Sequence, residues 1–159
     1  MMGADHQEER VAIRESIEIS RSPADVFAYI DDLATHGEWQ EQVVSAKVDG
    51  DGPTRVGTRS TETRKVGGRE QQMTYEVTEH SPPQVFAFRG VDGSIRANGR
   101  ATIEPLDGGA RSRVTLDLDF EGHGMGKLLL PLVRNQAAKQ VPKDQAQLKQ
   151  RLESGTPAA

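Results

Sequence analysis

The sequence predicts an α+β fold: a curved antiparallel sheet of about seven strands around a long C-terminal helix, with two short helices between the first and second strands. Three observations lead there. Short alternating apolar and polar runs fill the middle of the chain, separated by Gly, Pro and Asp signals. A helix start with its own capping residues follows the first of these runs. After Gly126 the apolar spacing changes from that of a strand to that of a helix.

The first strand is "VAIRESIEI", in which Val11, Ile13, Ile17 and Ile19 share one face and Glu15 interrupts it. "SPADVFAYIDDL" then offers Ser22 as cap, Pro23 at the first helical position and Asp25 three residues after the cap, with Val26, Phe27, Ile30 and Leu33 on one side. Thr35 is placed to cap a second short helix running to Trp39. The runs "QVVSAKV", "VGTRSTETRKV", "GREQQMTYEVTEH", "QVFAF", "SIRANGRATIE" and "RSRVTLDLDF" form an antiparallel meander, divided by DGDGP, GG, SPP, VDG and PLDGG. Met73, Tyr75 and Val77 share a face of the fourth strand, and Val114, Leu116, Leu118 and Phe120 share one of the last. The third strand chooses no face, because both of its alternating sets are polar. The helix stripe takes in Met125, Leu128, Leu129, Leu132, Val133, Ala137, Val141, Leu148 and Leu152, with a bend or break expected near Pro142.

A length of 159 residues suits one domain at 10–153, flanked by a disordered tail at 1–9 and a C-terminal tail at 154–159. A net charge of −4 argues against a general nucleic-acid binder, which needs a basic surface. Arg55, Arg59, Arg64, Lys65 and Arg69 are a local exception and read as a solvated hairpin. There is no cysteine, hence no disulfide framework and no thiolate chemistry. No apolar leader and no membrane-length apolar run is present, so a cytoplasmic protein is expected, as monomer or homodimer. His6, His36, His80 and His123 are too scattered to argue a metal site, and no cofactor is implied.

In "FEGHGMGKLLLPLV", a phosphate-cradling loop would need Gly at Glu121 and Ser or Thr at Leu128, so the glycines read as a flexible hinge between sheet and helix. On the sixth strand Ala97, Gly99 and Ala101 stand where a closed core would carry bulk, which suggests a cavity. Its apolar wall would be Met73, Tyr75, Phe86, Phe88, Leu116, Leu118, Phe120, Leu129 and Val133, with Trp39 at the entrance. Weak candidates for acid–base work are Glu15, Tyr75 and His123. If Glu62 and Arg64 point inward, the pocket has an ionic end suited to an acidic or hydroxylated amphiphile.

Four stretches, "IEISRSPADVFAYIDDLATHGEWQ", "YEVTEHSPPQVFAF", "PLDGGARSRVTLDLDFEG" and "LKQRLE", resemble the START-like or SRPBCC superfamily with its helix-grip fold, in particular its polyketide cyclase/dehydrase-like branch. The resemblance implies binding of a small hydrophobic or amphipathic ligand, such as a polyketide, lipid or quinone, between sheet and C-terminal helix. The alternatives are a cyclase/dehydrase-type enzyme using acid–base residues in the same cavity, and a toxin-like module that binds a macromolecule.

Overall fold

The computed structural model describes residues 13–66 and 68–154. The expected N-terminal tail, Val11, and all of the C-terminal tail except Ser154 lie outside these residues. The elements are β1 (Ile13–Ile19), α1 (Pro23–Asp31), a 3₁₀ turn (Leu33–Thr35), α2 (His36–Trp39), β2 (Val43–Val48), β3 (Arg59–Val66), β4 (Arg69–Ser81), β5 (Val85–Gly90), β6 (Ile95–Leu106), β7 (Arg111–Gly122) and α3 (Gly126–Glu153). The strands form one antiparallel sheet in the order β1-β7-β6-β5-β4-β3-β2.

The helix start reads as the sequence indicates. Ser22 Oγ accepts from the Asp25 backbone N–H at 3.2 Å, and α1 buries Val26, Phe27 and Ile30. Thr35 precedes α2 without capping it, because its hydroxyl donates instead to the carbonyls of Tyr29 and Asp32.

Strand register sets which side chains share the inner face. One rung runs Val77, Phe88, Gly99, Leu118, Ile13, and the next runs His80, Phe86, Ala101, Leu116, Glu15. A β-bulge between Val77 and Glu79 shifts the alternation of β4, so that Val77 and His80 both face inward. His80 Nε2–H donates to Asp31 Oδ1 at 2.8 Å, and the ring meets those of Phe27 and Phe86 edge-on.

One of the small residues of β6, Gly99, has a different cause from the one the sequence suggests. A Cβ on Gly99 would lie 2.5 Å from the ring of Phe88, so Phe88 occupies the space that glycine leaves. Gly99 therefore marks close packing between neighbouring strands, and not an empty volume.

The core gathers at one end of the sheet: Ile19, Val26, Phe27, Ile30, Leu33, Val77, Phe86, Ile103 and Val114, with Leu148 and Leu152 of α3. The last four turns of α3 present Val141, Gln145, Leu148 and Leu152 to it at heptad-like spacing. Polar ties fasten the same half to β1 and the segment after it. Gln145 Nε2 donates to the Glu15 carbonyl at 3.0 Å, Lys149 Nζ to the Glu18 carbonyl at 2.7 Å, and Glu153 accepts from the Ser20 N–H at 2.7 Å. Arg21 closes the set by donating to the Leu152 carbonyl at 2.6 Å.

Two features of α3 refine the expectation. No break occurs at Pro142: the helix is continuous through Pro131 and Pro142, both exposed, where water can serve the carbonyls the prolines leave free. Its expected single stripe does not bury throughout. Met125, Leu128, Leu129 and Leu132 stand in solvent.

The glycine segment before α3 is not simply a loose hinge. Gly124 has φ +59°, but Gly122 and Gly126 are glycines of close approach. A Cβ on Gly122 would fall 2.6 Å from the Lys127 backbone, and one on Gly126 would fall 2.1 Å from the Ser94 carbonyl oxygen. The Ser94 carbonyl also accepts from the His123 N–H at 2.8 Å, so the start of α3 is seated on the β5–β6 loop.

Candidate functional site

Beyond the filled core, the inner face of the sheet is less covered. Met73, Tyr75, Phe88, Leu116, Leu118 and Phe120 are half-buried, whereas Phe86, one rung nearer α1, is fully buried. Tyr75 and Phe88 meet edge-to-face with ring centroids 5.3 Å apart. Together these side chains make an incompletely covered apolar trough on the inner face of the curved sheet. Val133, on α3, is half-buried. Leu129 is 48% exposed on the outward side of the helix and does not line the trough, a correction to its expected place.

The face of β3, undecided in the sequence, is set by register. Ala46, Glu62 and Met73 form one rung and Val48, Ser60 and Tyr75 the next, so Ser60, Glu62 and Arg64 point inward. Arg64 thus departs from the solvated hairpin, while Arg55, Arg59, Lys65 and Arg69 remain exposed.

Glu62 is 4% exposed, and both of its carboxylate oxygens are engaged. Oε1 accepts from Arg64 Nε at 3.0 Å, and Oε2 lies 3.0 Å from His36 Nδ1. Burial pushes its pKa up, but the His36 hydrogen bond and the Arg64 charge outweigh burial and hold the carboxyl below its usual range. Arg64 also donates to Gln40 Oε1. A buried pair of this kind survives desolvation because its hydrogen bonds are filled.

His36 comes from the start of α2. Its Nε2–H donates to the Ile30 carbonyl at 2.9 Å, which leaves Nδ1 facing the carboxylate. The imidazole is thus fixed between a backbone carbonyl and the Glu62 carboxylate.

Tyr75 lies beside this cluster. Burial, opposed by the nearby Arg64 charge and supported by Glu62, pushes its phenol up to about 12. Its hydroxyl donates to the weak acceptor Met73 Sδ, at 3.2 Å. The Ser60 hydroxyl, directly across from Tyr75, is buried with no hydrogen-bond partner among the described residues, as is Trp39 Nε1.

Trp39 packs edge-on against His36 and reaches the core. On its other side it lines a cleft of about 420 Å³ between α2 and α3, with Glu38, Glu41, Lys143, Asp144 and Gln147 among its walls. Burial raises the Asp144 carboxyl above its usual range, against hydrogen bonds from Gln140 and the Glu41 N–H and against the Arg64 charge.

The three expected acid–base candidates do not come together. Glu15 sits on the inner face of β1, opposite Leu116 and four strands from Tyr75 on β4. His123 is exposed in the segment before α3, 3.7 Å from Glu121. Tyr75 alone belongs to the polar cluster. His36, Gln40, Ser60 and the Glu62–Arg64 pair are its other members. Among the described residues, no three His, Asp or Glu side chains gather as a metal shell requires.

A curved seven-stranded antiparallel sheet with a long C-terminal helix, and short helices between its first and second strands, defines a START-like protein of the helix-grip fold. Within that class, residues 10–153 match the family described as polyketide cyclase / dehydrase and lipid transport, and the chain belongs to this family. Among solved structures it is similar to a protein from Thermus thermophilus, with 22% identity, TM-score 0.75, and coverage of 91% of this chain and 98% of that one. A START superfamily protein from Mycobacterium smegmatis has 16% identity and TM-score 0.74, with 91% and 98% covered. The Zhui aromatase/cyclase from a Streptomyces species has 14% identity and TM-score 0.77, with 92% and 95% covered. At these identities the likeness is one of fold. No curated protein sequence matches the chain.

Proposed function

We propose that the protein binds one small amphipathic molecule in the trough, with an apolar body over Met73, Phe88, Leu116, Leu118 and Phe120 and an oxygen-bearing head beside Arg64, Tyr75 and Ser60. The observation that carries this is the inward turn of β3. It brings a guanidinium, a weakly engaged phenol and an unpartnered hydroxyl to the end of an incompletely covered apolar floor. Arg64 supplies positive charge and planar donors, Ser60 and Tyr75 supply hydroxyls, and the floor supplies area without direction. Acidic or hydroxylated polyketides, quinones and lipids all have this chemistry, which accords with the description of the family.

A second reading is favoured by the Glu62–His36 contact. A carboxylate and an imidazole in hydrogen-bond contact next to Tyr75 are the equipment of acid–base catalysis, as aldol closure and water loss in a cyclase/dehydrase would use. On that reading the same head group occupies the same end of the trough and is there converted.

The test is displacement of an anionic naphthalene dye, 8-anilinonaphthalene-1-sulfonate, followed by dye fluorescence. Dye is expected to bind the wild type and to be displaced by oxygenated amphiphiles, with affinity reduced about tenfold or more in Arg64→Leu through loss of a charge-assisted hydrogen bond. Binding unchanged in Arg64→Leu and Phe120→Ala would contradict the proposal. Turnover of a bound polyketide that Glu62→Gln abolishes while binding persists would select the enzymatic reading.

A further inference from the structure

The first half of α3 carries a second apolar face. Leu130, Val133 and Ala137 are half-buried, but Met125, Leu128, Leu129 and Leu132 are 76%, 75%, 48% and 55% exposed. Their spacing puts these four on one side of the helix, away from the side on which Val141, Leu148 and Leu152 meet the core. This apolar face serves neither the core nor the trough.

Charge indicates what covers it. From Gly122 through Lys143 the chain contains no Asp or Glu, while Lys127, Arg134, Lys139 and Lys143 are all basic, in a protein of net charge −4. Arg134 is held by Asp119 at 3.5 Å, but Lys139 and Lys143 are exposed and continue the line of Leu128 and Leu132 down the helix. The resulting strip is apolar at the sheet-end turn and cationic two turns further along.

We propose that this strip docks on the surface of an anionic phospholipid bilayer. Met125, Leu128, Leu129 and Leu132 enter the boundary between headgroups and acyl chains, while Lys139 and Lys143 meet lipid phosphates. A second copy of the chain matches less well, since its own strip presents the same cations. The helix lies on the bilayer: among the described residues no helix is long and apolar enough to cross one. Docking places the less covered end of the trough against the headgroup layer. The inference goes beyond the ligand proposed for the trough and does not depend on it.

The test is co-sedimentation with vesicles of phosphatidylcholine alone and of phosphatidylcholine containing one quarter phosphatidylglycerol. The protein is expected to sediment with the anionic vesicles, to bind neutral ones weakly, and to be released by added salt. Lys139→Ala/Lys143→Ala should lower the partition by about tenfold or more, and Leu128→Ser/Leu132→Ser should abolish it. All four residues are exposed, so an unchanged thermal melt separates lost docking from lost folding. Failure to bind anionic vesicles, or equal binding by both variants, would overturn the proposal. So would a dimer, seen by analytical ultracentrifugation, that Leu128→Ser/Leu132→Ser dissociates, because the face would then belong to a second copy. Dye binding in the trough is unaffected in each of these cases.

Discussion

The two halves of α3 meet the same sheet under different terms. The C-terminal half is wedged against a filled core by Val141, Leu148 and Leu152 and tied to β1 and its neighbouring segment through Gln145, Lys149, Arg21 and Glu153. Around the N-terminal half, Gly122 and Gly126 seat the first turn closely on its neighbours, Arg134 reaches Asp119, and the apolar floor of the sheet is only half covered. One half thus supplies stability, and the other leaves apolar surface uncovered.

The sharpest way to break this comparison is truncation at matched positions. Leu148→Ala removes a side chain that is 1% exposed and should cost about 3–4 kcal/mol in urea unfolding. Leu118→Ala, on the half-buried floor, should cost about 1–2 kcal/mol, because less apolar area is lost from burial. Equal costs would mean that the trough is packed as tightly as the core.

Next in size is Glu62→Gln, expected to destabilise by about 3 kcal/mol since it leaves Arg64 and His36 without their carboxylate. The pH dependence has a definite sign. The Glu62 pKa is lowered on folding, so its contribution is complete above the ordinary carboxylate range and is lost as pH falls through the lowered value. Glu62→Gln should therefore flatten the acid side of a stability–pH profile. Asp144 works the other way: its raised pKa means that it withholds stability at neutral pH and restores it as pH falls through that value. Asp144→Asn should raise neutral-pH stability, and a loss there would refute the assignment.

Gly99→Ala sharpens the account of β6. The new methyl would lie 2.5 Å from the Phe88 ring, and the expected cost is about 1–3 kcal/mol. A neutral result would mean that Phe88 moves aside into open volume. The smallest effect belongs to Leu132→Ala on the exposed face of α3, within about 0.5 kcal/mol.

Much of the fold is legible because local chemistry and tertiary structure agree. Ser22, Pro23 and Asp25 announce α1, and strict alternation announces β7. The site is less legible. Ser60, Glu62 and Arg64 alternate with equally polar neighbours, so their inward turn depends on His36 and Gln40, contributed by a different part of the chain. His80 reaches the core through a bulge that periodicity does not register. On α3 the consecutive Leu128, Leu129 and Leu130 surround the helix with apolar side chains, so spacing alone cannot say which of them meets the sheet. Gly99 reads in sequence as a gap in the core and Gly126 as part of a flexible hinge, although close contacts require both.

The most direct measurement is a two-dimensional ¹H–¹⁵N NMR titration of the protein with the naphthalene dye. Large shifts at Arg64, Tyr75, Phe88, Leu118, Phe120 and the first turns of α3, with Ile19, Val26 and Leu148 left nearly unmoved, are the result expected of a ligand held in the trough. Shifts concentrated at the core end, or confined to the surface loops, would contradict it.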